Sequence, residues 1–488
     1  MKIFYEKLEK RDYQLNIFEK SKNRNTLVVL PTGLGKTVIA LLLSEYRLNL
    51  YPESKVLFLA PTRPLVLQHE NFFREFASGK FYSITGYIRP EKRKKIYEMA
   101  EVIFATPQTI KNDILSNRLT LENFSLVIFD EAHKAVGRYP YTYIAMHYKL
   151  RSKYPLILAL TATPGNSVDK IREVCKNLYI QNIEYRRESS FDVRKYIKEK
   201  EVILESLDIP EKFLKIKRMF YDLMNFYINK IRERGYVIQP ASQIKLSEIL
   251  KIQRKMYELK DFESMPYIGA LLKLYHAYIV FFTQSPIVFR NYLEELISDN
   301  SKSSFELLSN TLFRELMKEA SLVEYNPKFR KLIEILEKNK NKKIIIFVQL
   351  RNTAKLIVSR LKEMGYKAEA FLGQKEMSQR KQQEILRKFR SNVIDIIVAT
   401  SIGEEGLHIP EADIAIFYEP VPSVLRSIQR KGRVGRTKFG KIYIVMMKKS
   451  PDENIFWAIR KKEKKLYNML EIVKKELDRG TKIIDFFN

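Results

Sequence analysis

An apolar run, Leu27-Val28-Val29-Leu30, leads into Pro31-Thr32-Gly33-Leu34-Gly35-Lys36-Thr37, and Val38 to Leu43 continue as a second apolar segment of helical character. Few folds accommodate strand, glycine turn and buried helix in that succession. Gly33 and Gly35 let backbone N–H groups turn inward around an anion, and the start of the helix adds partial positive charge. Lys36 would reach the outer phosphate oxygens, and the Thr37 hydroxyl is a ligand for Mg²⁺. The stretch predicts a nucleoside triphosphate site lined by Thr32, Gly33, Gly35, Lys36 and Thr37. Leu30 stands where the pattern G-x-x-x-x-G-K-[ST] has its first glycine, so the loop alone also leaves an ordinary strand-to-helix turn open.

At 488 residues the chain exceeds a single core and is expected to form about three domains. Its 87 Lys and Arg against 57 Asp and Glu leave a net charge of +30, which points to a polyanionic partner, nucleic acid before membrane. The solvated surface of a heat-adapted protein would give a similar balance. A single cysteine, Cys175, excludes an intramolecular disulfide framework and a Cys-based zinc site. Met1 to Lys7 hold no apolar stretch of signal-peptide length. The longest apolar run, Tyr267 to Phe282, is shorter than a membrane span and contains Lys273 and His276, so a buried helix is expected. These features predict a soluble intracellular protein.

Val56 to Leu59, Val102 to Ala105, Leu126 to Phe129 and Leu156 to Leu160 are apolar without alternation and separated by helical segments. That is the pattern of a parallel sheet covered on both faces, whose carboxyl ends line one crevice. The runs end at Ala60-Pro61-Thr62-Arg63-Pro64-Leu65, Thr106-Pro107, Asp130-Glu131-Ala132-His133 and Thr161-Ala162-Thr163-Pro164. Asp130, at the end of its strand, would hold Mg²⁺ beside the phosphates, and Glu131 would orient or deprotonate the attacking water. Standing alone, such an Asp-Glu pair is better explained by helix capping, and its place one sheet's length after the phosphate loop reverses that preference. Gln14 presents both a donor and an acceptor and is a candidate reader of the adenine edge.

Between Ile180 and Tyr325 the pattern turns helical, with Glu211 to Arg234, Gln243 to Lys260 and Met265 to Phe282 at helical spacing. The expected division is residues 1–185 as an ATP-binding α/β domain, 186–325 as a helical insert, and 326–488 as a second α/β domain with a terminal helix. The insert, basic from Arg194 to Lys260, reads either as a nucleic-acid clamp or as a spacer. The second domain has strands at Lys343 to Val348, Ala368 to Leu372, Ile394 to Thr400 and Ile414 to Tyr418, but no phosphate loop. It supplies Gln429-Arg430-Lys431-Gly432-Arg433-Val434-Gly435-Arg436 instead. Arg433 and Arg436 share one face, and across a cleft from Lys36 they would neutralise charge developing on the γ-phosphate. A basic loop on nucleic-acid phosphates is the alternative.

Taken in order, these motifs resemble those of the superfamily 2 DEAH-box helicases and translocases. Arg11 and Gln14 resemble the adenine-reading motif, and Pro31 to Thr37 match the family's PTGxGKT, in which the missing first glycine is normal. Asp130 to His133 resemble the DEAH box and Thr161-Ala162-Thr163 the coupling motif; Phe347 to Thr353, Thr400 to Pro410 and Gln429 to Arg436 resemble the remaining ones. The resemblance implies two RecA-like parallel-sheet domains in tandem with a helical domain inserted between them. It implies ATP with Mg²⁺ on Thr37 and Asp130, and strand contacts from Thr62, Arg63, Thr85, Gly86, Thr106 and Thr400. Within the superfamily, the insert, Tyr418-Glu419-Pro420-Val421-Pro422-Ser423 and Gln429-Arg430 are similar to archaeal Hef and its relatives of the Fanconi-anaemia M and Mph1 type, which act on forked and branched DNA. The expectation is an archaeal, nucleoid-associated DNA helicase of fork processing and repair. A double-stranded-RNA-dependent ATPase and a non-catalytic nucleic-acid scaffold are the alternatives. His408 departs from the Asp common at the family's ribose contact, and nothing in the chain resembles the nuclease half of Hef.

Overall fold

The computed structural model describes residues 1–480 apart from Thr32, 188–189, 197–200, Ser285, 324–325, 374–376, 401–411 and 421–439. In chain order its strands are β1 (Lys2–Ile3), β2 (Thr26–Val29), β3 (Lys55–Leu59), β4 (Ala77–Ser78), β5 (Phe81–Ile84), β6 (Val102–Ala105), β7 (Phe124–Asp130), β8 (Ile157–Thr161), β9 (Asn182–Tyr185), β10 (Glu201–Leu207), β11 (Ile344–Phe347), β12 (Ala368–Phe371), β13 (Ile396–Ala399), β14 (Ile414–Phe417) and β15 (Lys441–Met447).

Seven of them form a parallel sheet in the order β5-β6-β3-β7-β8-β2-β9. Every residue of β2, β6, β7 and β8 is buried, which is why these runs carry no polar alternation. Two apolar cores cover the faces, one around Phe58, Phe73 and Leu158 and the other around Phe129, Tyr141 and Ile183. A second parallel sheet has the order β10-β15-β14-β11-β13-β12 and its own core around Ile346, Phe389 and Phe417.

Two strands correct the expectation of helix from Ile180 onward. β9 pairs with β2 at the edge of the first sheet, and β10 pairs with β15 from Glu201↔Lys441 to Leu207↔Met447. β10 lies at a sheet edge with no residue fully buried, and Glu201 and Glu205 interrupt its apolar pattern, so its sequence lacks the signature of an interior strand.

The helical part begins at Glu211–Glu233 and continues through Leu246–Glu258, Met265–Thr283, Pro286–Ser298, Lys302–Ser309 and Thr311–Ser321. Met265–Thr283 is long and apolar enough to cross a membrane by length and composition, and in this fold it is the helix against which its neighbours pack. Lys273 on that helix donates from Nζ to Ser301 Oγ and Ser304 Oγ, both at 2.6 Å, and pairs with Asp299.

The terminal helix, Pro451–Asp478, connects the two sheets' domains. Phe456 near its start lies in the second core, whereas Leu466, Leu470 and Val473 lie in the first. Glu476 then receives Arg172 in a two-pronged contact, Nη2 at 2.7 Å and Nε at 3.1 Å.

Candidate nucleotide and nucleic-acid site

The phosphate loop is shaped by its glycines and held by one glutamine. Gly33 has φ +90° and Gly35 φ +72°, and Gly35 caps the helix Lys36–Leu50 in the left-handed conformation. The backbone angle favours glycine, and a Cβ on Gly35 would meet Gln14 Nε2 at 2.3 Å and push that amide aside. Gln14 Nε2 donates to Leu34 O at 3.1 Å, and the Tyr13 hydroxyl donates to the same carbonyl at 2.7 Å. Gln14 is thus a brace under the loop as well as a candidate base reader. Its Oε1 is buried with no hydrogen-bond partner among the described residues, an acceptor that the amino group of a bound base would satisfy. Arg11 stands one turn earlier at the N-cap of the helix Asp12–Ser21, with Nη2 on Glu9 at 2.8 Å. Lys36 Nζ donates to Leu30 O at 3.0 Å, and Thr37 follows it in the first helical turn. Thr32 lies outside the described residues.

Asp130 ends β7, with β8 between it and β2. The Tyr141 hydroxyl donates to its backbone carbonyl at 2.6 Å, and its Oδ2 accepts from His69 Nε2 at 2.9 Å. Burial opposes ionisation of this carboxyl, but the hydrogen bond and electrostatic attraction of His69 and the Lys36 charge outweigh it and hold the group below its ordinary pKa. An ionised carboxylate oxygen is the kind of ligand Mg²⁺ takes, and Asp130 with the Thr37 hydroxyl are the residues here that could hold that ion. Glu131 follows at φ +50°, an uncommon backbone conformation for a non-glycine residue and a mark of a constrained site. Its Oε2 is 3.3 Å from His133 Nδ1, which is in turn 3.2 Å from Thr161 Oγ1. Thr161 donates to Thr163 O at 3.1 Å, so the DEAH segment and the coupling motif are joined side chain to side chain across the end of β8.

The candidate strand contacts follow β3, β5 and β6, which neighbour one another in the sheet. Thr62 precedes the helix Arg63–Phe76, and its Oγ1 is buried without a hydrogen-bond partner among the described residues. The Arg63 guanidinium lies 4.8 Å from the ring centre of Tyr87, which is 83% exposed next to Thr85 and Gly86. Thr106 Oγ1 is 2.8 Å from Thr109 Oγ1 where the helix Pro107–Leu115 begins. Asp113, wholly buried, accepts from Arg93 Nε at 2.7 Å and from the Tyr97 hydroxyl at 2.6 Å. That network locks the helix after Tyr87 to the helix after Thr106. One edge of the sheet therefore carries both groups, with β2 and β3 about 14 Å apart at a strand spacing of about 4.8 Å.

Thr400 is not among this group; it follows β13 in the second sheet, with its N–H on Phe371 O at 3.3 Å and its Oγ1 buried. Arg433, Arg436, Gln429, Arg430 and His408 lie outside the described residues. The reading from sequence passed over His69. Its signal is a polar residue on the apolar stripe of a helix, since Val66, His69 and Phe73 are that helix's buried positions.

Two family models match: "Type III restriction enzyme, res subunit" over residues 5–166 and "Helicase conserved C-terminal domain" over 327–438. The crystal structure of the Pyrococcus furiosus Hef helicase domain superimposes with a TM-score of 0.77 at 40% identity, covering 94% of this chain and all of that one. The chain belongs to the superfamily 2 helicases. Its relatives in this superfamily are of the Hef, Mph1 and FANCM type. A Methanocaldococcus jannaschii protein provisionally named an ATP-dependent RNA helicase is 37% identical across 95% of the chain and 61% of its own length. The Schizosaccharomyces pombe ATP-dependent DNA helicase fml1 is 31% identical across 89% of the chain and 57% of its own length. This superfamily 2 chain thus spans about three fifths of these relatives.

Proposed function

We propose that the chain is a nucleic-acid-stimulated ATPase that uses hydrolysis to translocate on, or remodel, forked or branched DNA. The observation that carries this reading is the shared carboxyl edge of the first sheet, where Lys36, Asp130 and the Glu131–His133–Thr161 contacts adjoin Thr62, Arg63, Thr85, Gly86 and Thr106. In it, Gln14 reads adenine, Gly33, Gly35 and Lys36 hold the phosphates, and Thr37 and Asp130 hold Mg²⁺. When bound, that ion supplies charge neutralisation on the β- and γ-phosphate oxygens. Glu131 orients the attacking water, and Arg433 and Arg436 offset charge on the transferring group. Nucleotide binding biases the two α/β domains between arrangements that grip the strand differently, because a ligand shifts only states that it contacts differently. The helical insert, from Glu211 onward, is the clamp on the branched substrate.

DNA is favoured over RNA by the name of the fission-yeast relative, an ATP-dependent DNA helicase. The name of the M. jannaschii relative supports the RNA-dependent alternative. Replacing Lys36 with Ala is expected to lower ATP turnover by about 10²-fold or more while DNA affinity is retained. Phosphate release is then compared between forked DNA and duplex RNA. Stimulation by RNA alone would overturn the DNA reading, and persistent hydrolysis in Lys36→Ala would overturn the site.

A further inference from the structure

The helix Arg63–Phe76 touches both parts of the proposed machinery. At its start are Thr62, with an unpartnered buried hydroxyl among the described residues, and Arg63, exposed over Tyr87. Six residues later, about 9 Å along the axis, is His69. Its Nε2 is 2.9 Å from Asp130 Oδ2. The imidazole is 6% exposed, and its ring lies 4.3 Å from that of Phe58 on β3. Phe58 packs in turn against Phe73 at 6.0 Å, one turn further along the same helix, and against Phe104 at 5.5 Å. The imidazole thus belongs to this helix, packs on the sheet through Phe58 and contacts Asp130 at the end of β7, so it is the side chain through which a displacement of the helix at Thr62 and Arg63 would bear on the carboxylate. An apolar side chain would fill this stripe position without a desolvation cost, and an imidazole has a use here only through its partner.

We propose that His69 is a positioning residue that transmits strand engagement at Thr62 and Arg63 to the Asp130 carboxylate, so that nucleic acid and nucleotide bind with mutual dependence through one helix. This rests on the function proposed above. Linkage requires the effect to be reciprocal: DNA changes nucleotide affinity by the same factor as nucleotide changes DNA affinity.

The test measures that factor by titrating a fluorescent non-hydrolysable ATP analogue with Mg²⁺, with and without saturating forked DNA, and by the reverse titration of labelled DNA. The wild-type factor is expected at about 5- to 150-fold. In His69→Leu it is expected to fall towards 1, and in His69→Gln, which keeps a side-chain donor, most of it should return. Val66→Ala trims the same buried stripe without touching Asp130; it should lower the melting temperature and keep the factor. His69→Asn, polar but too short to reach, is expected to behave as His69→Leu and serves if that variant does not fold. A full wild-type factor in His69→Leu or His69→Asn, or an equal loss in Val66→Ala, overturns the assignment while leaving the proposed function standing. A wild-type factor of 1 overturns both.

Discussion

Lys328 Nζ lies 3.0 Å from Asp452 Oδ2, and neither side chain has any exposed surface. Lys328 belongs to the helix Pro327–Lys338 that opens the second α/β domain, and Asp452 to the first turn of the terminal helix. The same ammonium donates at 2.6 Å to Thr283 O, at the end of the insert's central helix, and sits 5.1 Å from the Tyr418 ring centre. One buried cation thus joins the insert, the second sheet and the helix that returns to the first domain. Burying a charge is costly in itself, and this one is retained where several elements meet around it.

Lys328→Met leaves Asp452 buried without its counter-charge, and Asp452 Oδ1 already lacks a hydrogen-bond partner among the described residues. The expected loss is about 3–5 kcal/mol, and the double variant Lys328→Met with Asp452→Leu should recover a large part of it. Urea unfolding of the three proteins measures both numbers. A single variant as stable as wild type would mean that the pair adds nothing.

Glu419 adjoins the same cluster. Its Oε1 accepts from the Gln349 N–H at 2.6 Å, its Oε2 from the Gln284 amide, and Gln284 Oε1 accepts from Thr353 at 2.6 Å. Burial pushes the Glu419 carboxyl up to about 7 from an ordinary 4.5, with Asp452 adding to the rise, against the Lys328 charge and the hydrogen bonds from Gln349 and Gln284. The folded chain therefore binds this proton more tightly than the unfolded chain. Stability should fall as pH rises from about 4.5 to 7 and level off above, with a steepest slope near 1.4 kcal/mol per pH unit from this group. Burial also raises Asp452, which adds slope of the same sign. Denaturant unfolding at a series of pH values should show a shallower dependence in Glu419→Gln. An unchanged slope would assign the effect elsewhere.

Gly35→Ala combines two penalties, a left-handed backbone at φ +72° and a Cβ 2.3 Å from Gln14 Nε2. The backbone part is about 1–2 kcal/mol. Relief of the overlap by Gln14→Ala in the same chain should restore some stability, while the backbone part remains. Thermal unfolding of the single and double variants separates the two. Nucleotide affinity should stay low in both, because the backbone strain at residue 35 remains and the double variant also loses one of the two donors to the Leu34 carbonyl, leaving the Tyr13 hydroxyl. Full stability in the single variant would show that the loop relaxes away from Gln14.

Much of the fold was legible in the residues themselves. The first sheet's interior strands announce themselves because each is covered on both faces and so carries a run of apolar residues without alternation, and Gly33 and Gly35 mark their turn because only glycine tolerates those angles cheaply. Asp130 was legible as a candidate because it is a carboxylate at the end of such a strand, where the structure places it. The parts that escaped depend on partners distant in the chain. β10 is half exposed and became a strand only through β15, more than 200 residues later. His69 looked like any helical polar residue until the fold set it against Asp130, and Lys328 and Asp452 until burial left each with the other. Local sequence determines which backbone conformations and burial patterns are affordable. Which polar group faces which is decided by tertiary packing, because a buried donor or charge is tolerated only where its complement arrives from another element.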